Sequence, residues 1–230
     1  MNGGISLQRI SFLISTTIFL TGCSQQVTEP FTWSLSQLAT TFQGSYGLAI
    51  IALTLIIRFL LLPLTVRQWQ SSKKFTEKMA IMKPEMDEIT EKYRAKEQPV
   101  AMQQELQAVY TKHDTSLFAT LSGCLLALLQ MPIFLALYYA IREDSLIAQA
   151  SFLGISLGQA SIWIALIVLF FYGVQAYIQS KSMTQMRLFA YVTPIVMGFV
   201  AMTVPAALSL YWAVSGIFLV LQTMIFQLLK

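Results

Sequence analysis

The chain has 230 residues, of which 56% are hydrophobic and only 11% charged, and its mean hydropathy is +0.62. A soluble globular chain carries roughly 25% charged residues, so this composition excludes an ordinary water-soluble domain. The net charge is only +4, and the block from Arg67 to Asp114 holds nine Lys/Arg against eight Asp/Glu, a mixture of sign that excludes a nucleic-acid-binding arm.

Arg9 precedes an apolar stretch from Ile10 to Leu20, the length of a signal-peptide core and too short to span comfortably. It ends in Leu20-Thr21-Gly22-Cys23, ahead of the polar Ser24-Gln25-Gln26. These four residues resemble the bacterial lipobox. They predict a lipoprotein signal peptide over 1–22 and a mature N-terminus at Cys23, bearing S-diacylglycerol and N-palmitoyl groups and held outside by its acyl chains. The alternative is a first helix that happens to contain a cysteine. Cys124 lies within an apolar run, and no disulfide is expected. In the outer segment 23–45, Leu35, Leu38 and Phe42 recur at helical spacing beside Ala39. They predict a short amphipathic helix between Pro30 and Gly44, lying on the outer membrane surface.

Five apolar segments follow, at 46–66, 117–139, 161–180, 188–203 and 206–228. The fourth reaches only about 24 Å at 1.5 Å per residue, short of the roughly 30 Å hydrocarbon core, and calls for a thinner bilayer or polar flanks that reach outward. An N-terminus outside sends the 67–116 block, the 181–187 loop and Lys230 to the cytoplasm, with twelve of the fifteen basic residues. Only Arg142, in the 140–160 loop, stays outside, and the positive-inside rule is satisfied.

Within 67–116, Met82, Met86, Ile89 and Tyr93 form one helical stripe, and Met102, Leu106, Val109 and Tyr110 form another. Lys96-Glu97-Gln98-Pro99 separates them. The pattern predicts a cytoplasmic two-helix hairpin whose first helix has Pro84 in its first turn. It is open whether this is a solvated linker or a docking and gating element with a methionine-rich face.

Arg58 stands within the first apolar segment, about 12 Å along a helix from its cytoplasmic end. A mid-bilayer arginine costs about 2.5–3.5 kcal/mol on insertion scales, and no span contains an acid to neutralise it. It either snorkels to the interface or faces a wet cavity. Gln130 and Gln175 lie in the second and third segments; Tyr211, Ser215 and Gln222 share one face of the fifth, with Trp212 adjacent. Together they suggest a hydrophilic groove in the inner half of the membrane. His113, the one histidine, is in the hairpin, and there is no phosphate-binding loop. A Ser–His catalyst, a metal site, a cofactor and nucleotide-driven transport are therefore not expected, nor is an enzyme.

The run from Gly47 through Ile57-Arg58 to Leu62-Pro63-Leu64 resembles the first core span of the YidC/Oxa/Alb insertases. So do Leu129-Gln130-Met131-Pro132-Ile133-Phe134 with Leu137-Tyr138-Tyr139, Leu208-Ser209-Leu210-Tyr211-Trp212, and the hairpin ending Tyr110-Thr111-Lys112-His113. With its lipobox and no large outer domain, the chain is most similar to the Gram-positive form. The resemblance implies an all-α membrane protein of five transmembrane helices, with the hairpin and the outer helix, in the bacterial plasma membrane with its C-terminus cytoplasmic. It implies an insertase and chaperone of nascent membrane proteins, with Arg58 in the groove and Gln175 and Trp212 lining it, working alone or beside the Sec translocon. Two departures are Asp114-Thr115-Ser116, where many relatives have Asn-Pro, and the stop at Lys230 without a long basic tail, which puts direct ribosome tethering in doubt. A solute channel or transporter, or a scaffold for membrane complexes, is the alternative, although the chain lacks the internal repeats that transporters carry.

Overall fold

The computed structural model describes residues 25–94, 98–113, 122–182 and 187–228. The signal peptide, Cys23, the start of the second apolar segment and Lys230 lie outside the described residues. The chain folds almost wholly as helix: α1 (Gln25–Thr41), α2 (Tyr46–Leu60), α3 (Leu62–Tyr93), α4 (Pro99–Lys112), α5 (Ser122–Glu143) and α6 (Ser145–Gln149) come first. The strands β1 (Ser151–Phe152) and β2 (Ile155–Ser156) follow, then α7 (Ile162–Ser182), α8 (Arg187–Ala201) and α9 (Ala206–Leu228). They group into two compact units, one running to Phe59 and resuming at Gln130, the other from Leu60 to Leu129.

The first unit is organised around α9. Every residue from Ala206 to Ala213 is buried, so the first turns of this helix are enclosed, whereas Leu221, Met224, Ile225 and Leu228 further along are exposed. It packs on α7, which also packs on α8. The approach is close because Gly216 of α9 offers no side chain: a Cβ there would stand 3.0 Å from the Tyr172 ring and 3.3 Å from Phe171. Small residues at crossings are how apolar helices gain contact where lipid removes the hydrophobic drive. The outward faces stay apolar, with Trp163, Phe170, Ile195 and Phe199 all exposed. Among the described residues, α7 (Ile162–Lys181) and α9 are long and apolar enough to cross a membrane. Thr28–Thr41 with Tyr46–Leu60 would make a third span if counted as one, although the pair is bent by 119°; Ala190–Ala201 is apolar but shorter.

The connection before α7 closes one end of this unit. The N–H of Ala206 donates to the Gln159 carbonyl at 2.8 Å and that of Ala207 to Leu157 at 3.0 Å, satisfying donors that a helix start leaves without internal partners. Phe152 lies on Gly47 so closely that no side chain could be added there. The antiparallel pairing of Ser151 with Ser156 and Phe152 with Ile155 was not anticipated, because two-residue strands are too short to show a period.

Three expectations about helix limits change. The outer helix begins at Gln25 rather than near Pro30, which lies inside it. The first apolar segment is not one helix: α2 stops at Leu60 and α3 starts at Leu62 with Pro63 in its first turn, the position where the missing N–H is harmless. Pro84, expected to open the hairpin's first helix, lies well inside the 32-residue α3. Pro84 and Ala80 are both exposed, so water can satisfy the Ala80 carbonyl that proline deprives of its donor.

In the second unit α3 and α4 pack on each other. Met82 and Val109 are buried, and Met86, Ile89, Tyr93, Met102, Leu106 and Tyr110 are half-buried. The stripes are therefore spent largely on the hairpin itself. Charged contacts fasten it: Lys92 to Glu105 at 2.6 Å, and Lys112 and His113 to Glu85 at 2.9 and 3.2 Å. The bond that Lys112 donates, with that from His113, holds the Glu85 carboxyl below its ordinary pKa; the Glu105 bond holds the Lys92 ammonium above its own.

Candidate functional site

Tyr211, Ser215 and Gln222 lie at spacings of four and seven on α9, which returns them to nearly the same angle at 100° per residue. All three are buried, as is Trp212. Buried polar groups need partners, and three helices of the first unit reach Tyr211, Trp212 and Ser215 and, beside Gln222, Thr223.

Gln130 of α5 donates from its amide to the Tyr211 hydroxyl, and one turn further along α5 the Phe134 ring stacks on Trp212 at 5.6 Å with the planes 6° apart. About 6 Å deeper along α9, Arg58 of α2 donates from Nε to Ser215 Oγ at 3.2 Å. About 12 Å deeper again, Gln175 of α7 donates to Thr223 Oγ1 at 3.1 Å, and that hydroxyl donates to the Leu219 carbonyl at 2.8 Å. The polar row thus has three levels over about 18 Å of helix.

The middle level carries the charge. Arg58 is half-buried, and among the described residues no carboxylate lies within ion-pair distance of it. The side chain is not loose: Ser215, fully buried, accepts its Nε–H. One of five guanidinium N–H donors is used in this way, so the terminal nitrogens keep capacity for a further acceptor.

The deepest level has the opposite vacancy. Gln175 is only 6% exposed, and its Oε1 is buried without a hydrogen-bond partner among the described residues. Such an atom costs about 1–3 kcal/mol until water or another donor meets it. The row therefore holds a spare donor group at Arg58 and a spare acceptor at Gln175.

Tyr172 is the residue that the sequence reading missed. It packs on Gly216, next to Ser215, and stands one helical turn before Gln175, on the same face of α7. That spacing was the available signal, masked because tyrosine in an apolar span ordinarily reads as an interface aromatic.

The match to known proteins agrees with this arrangement of helices. The family model described as 60Kd inner membrane protein matches residues 37–230. The chain belongs to that family. The membrane protein insertase MisCB of Bacillus subtilis is 39% identical over 216 residues, covering 87% of this chain and 78% of that protein. The membrane protein insertase YidC 2 of Listeria monocytogenes is 37% identical over 236 residues, covering 94% and 85%. Among solved structures, an active YidC insertase crystal structure with the first transmembrane domain resolved superposes with a TM-score of 0.61 at 23% identity. It covers 94% of this chain, which spans half the length of that one. These are YidC-type membrane proteins of bacteria, and as a member of the 60Kd inner membrane protein family the chain is not an enzyme.

Proposed function

We propose that the chain inserts hydrophobic segments of nascent membrane proteins into the bacterial cell membrane and assists their folding. Five spans, the hairpin on the cytoplasmic side and a lipidated Cys23 outside make up the proposed architecture. The polar row of α9 lines a groove in the inner half of the bilayer, with Arg58, Gln130, Gln175, Tyr211, Trp212, Ser215 and Gln222 as its residues. The observation that carries this reading is Arg58: a cation among apolar helices, tied by Nε to Ser215 and without a carboxylate among the described residues.

A polar or acidic tail of the substrate enters the groove, where the terminal guanidinium nitrogens donate to its carbonyl or carboxylate oxygens in low dielectric. The tail then has a shorter unfavourable path, and partitioning of the following apolar segment into lipid supplies the drive, aided by membrane potential acting on acidic residues. No bond is broken and no nucleotide is consumed. The Sec translocon is a candidate partner. Direct contact with the ribosome is not part of the proposal.

The test is reconstitution into proteoliposomes with substrates that differ only in the charge of the translocated tail. Arg58→Ala should slow insertion of acidic-tailed substrates more than of neutral ones, and Arg58→Lys should restore part of the rate. Equal rates for every substrate with Arg58→Ala would remove the electrostatic step.

A further inference from the structure

The connection between α5 and α7 carries one charged residue, Asp144 at its very start, where its side chain accepts the Leu146 N–H at 2.8 Å; from Ser145 to Ser161 there is none. A soluble chain carries charge at about a quarter of all its residues. This stretch carries exposed apolar side chains instead: Leu146 in α6 is 64% exposed and Leu153, between β1 and β2, is 85% exposed.

Leu153 is unusual in a second way. Its φ is +52°, followed by Gly154 at +77°, the left-handed pair of a tight hairpin turn. Asn, Asp and Gly fill such turns because a bulky side chain is strained there. Leucine at this position is both strained and solvent-facing, and an observed outlier of this kind points to function. Nor can the turn fold back to hide it. Phe152 is seated on Gly47, the Leu157 N–H donates to the Ala150 carbonyl at 2.9 Å, and Gln159 and Leu157 hold the start of α9. The tip is held outward by the helices it closes.

The exposed apolar surface continues into the first turns of α7, where Ile162 and Trp163 are exposed and are followed by Leu166, Ile167 and Phe170 on a helix fit to cross a membrane. Trp at the start of a span marks the headgroup level. We infer that the 145–161 connection lies in the bilayer interface, with Leu153 and Leu146 reaching into the acyl boundary, so that the partner of this end of the bundle is phospholipid. The inference rests on the membrane-spanning reading above. It adds that the bundle is fastened to lipid by its connection as well as by its helices.

The full chain, in vesicles of phosphatidylethanolamine and phosphatidylglycerol, is tested with benzoylphenylalanine placed singly at Leu153, Leu146, Phe170 or Glu88. Illumination is followed by intact-mass analysis. Phospholipid adducts at 153, 146 and 170, with none at 88 in the hairpin, are expected. Leu146 is in a regular helix, so its probe is free of the strained turn. Adducts at 170 but at neither loop position would overturn the inference and leave the membrane reading standing. Adducts at no position would remove the membrane reading itself. Cross-linked dimers at 153 in place of lipid adducts would overturn it in favour of a second copy of the chain.

Discussion

Replacing Ser215 by alanine isolates the contact on which the candidate site turns. The hydroxyl is fully buried and accepts the Nε–H of Arg58 at 3.2 Å, and alanine removes the acceptor while changing volume by one atom. Interhelical polar bonds within membranes average about 0.6 kcal/mol and reach about 1.7. A charged donor places this bond in the upper part of that range, so a coupling of about 1–1.7 kcal/mol is expected, a factor of about 5 to 20 in the unfolding equilibrium. The measurement is a double-mutant cycle with Arg58→Met, which keeps the apolar stem and removes the charge. Unfolding is followed by near-ultraviolet circular dichroism in mixed micelles of increasing denaturing-detergent fraction. The two substitutions should be less costly together than the sum of their separate effects. Additivity within about 0.3–0.5 kcal/mol would mean that Ser215 does not hold Arg58, and the argument for a fixed guanidinium would fail.

Gly216→Val puts methyl groups beyond a Cβ already at 3.0 Å from Tyr172; overpacking of about 1–3 kcal/mol is expected, read as a lower thermal midpoint in detergent, with Tyr172→Ala restoring part of it. Gln175→Met removes the orphaned acceptor, and Thr223 keeps its bond to the Leu219 carbonyl. Stability should be unchanged or higher while insertion slows, and loss of both together would make Gln175 merely structural. For the hairpin, Glu85 is held below its ordinary pKa of 4.5 by Lys112 and His113. Its contribution is thus present above that value and lost as pH falls through the lower folded one. The protection factors of α4 amides, corrected for the intrinsic pH dependence of exchange, should fall below pH 4.5, and Glu85→Gln should abolish that fall. Lys92 gives the opposite limb, being held above 10.5 by Glu105, so its contribution fades only as pH rises through that raised value.

Local signals made the fold's main parts readable in the chain. The apolar segment expected at 206–228 is α9 at Ala206–Leu228; the stripes around Met82 and Val109 announce two helices that need each other. Pro84 misled because proline favours a first turn only when the helix has not already begun, and α3 had begun at Leu62. The site divides in the same way. Spacing alone aligned Tyr211, Ser215 and Gln222, since they share one helix. That Arg58 meets Ser215, and Gln130 meets Tyr211, depends on how separate helices cross, which no local pattern encodes. Tyr172 stayed hidden because its role arises from the gap at Gly216 on another helix.

The order in which the polar row is completed follows from its connectivity. Arg58, Gln130 and Gln175 all leave the ribosome before Ser215, Tyr211 and Thr223, their partners on the last described helix. The acceptors that receive the first turn of α9, at Leu157 and Gln159, are likewise made before it. Until α9 docks, the half-built bundle carries an arginine and two glutamines without these partners, and a chain that stalls before Ala206 bears them permanently. Such a product is marked by its own unmet hydrogen bonds, so the docking of α9 is the event that completes the polar row.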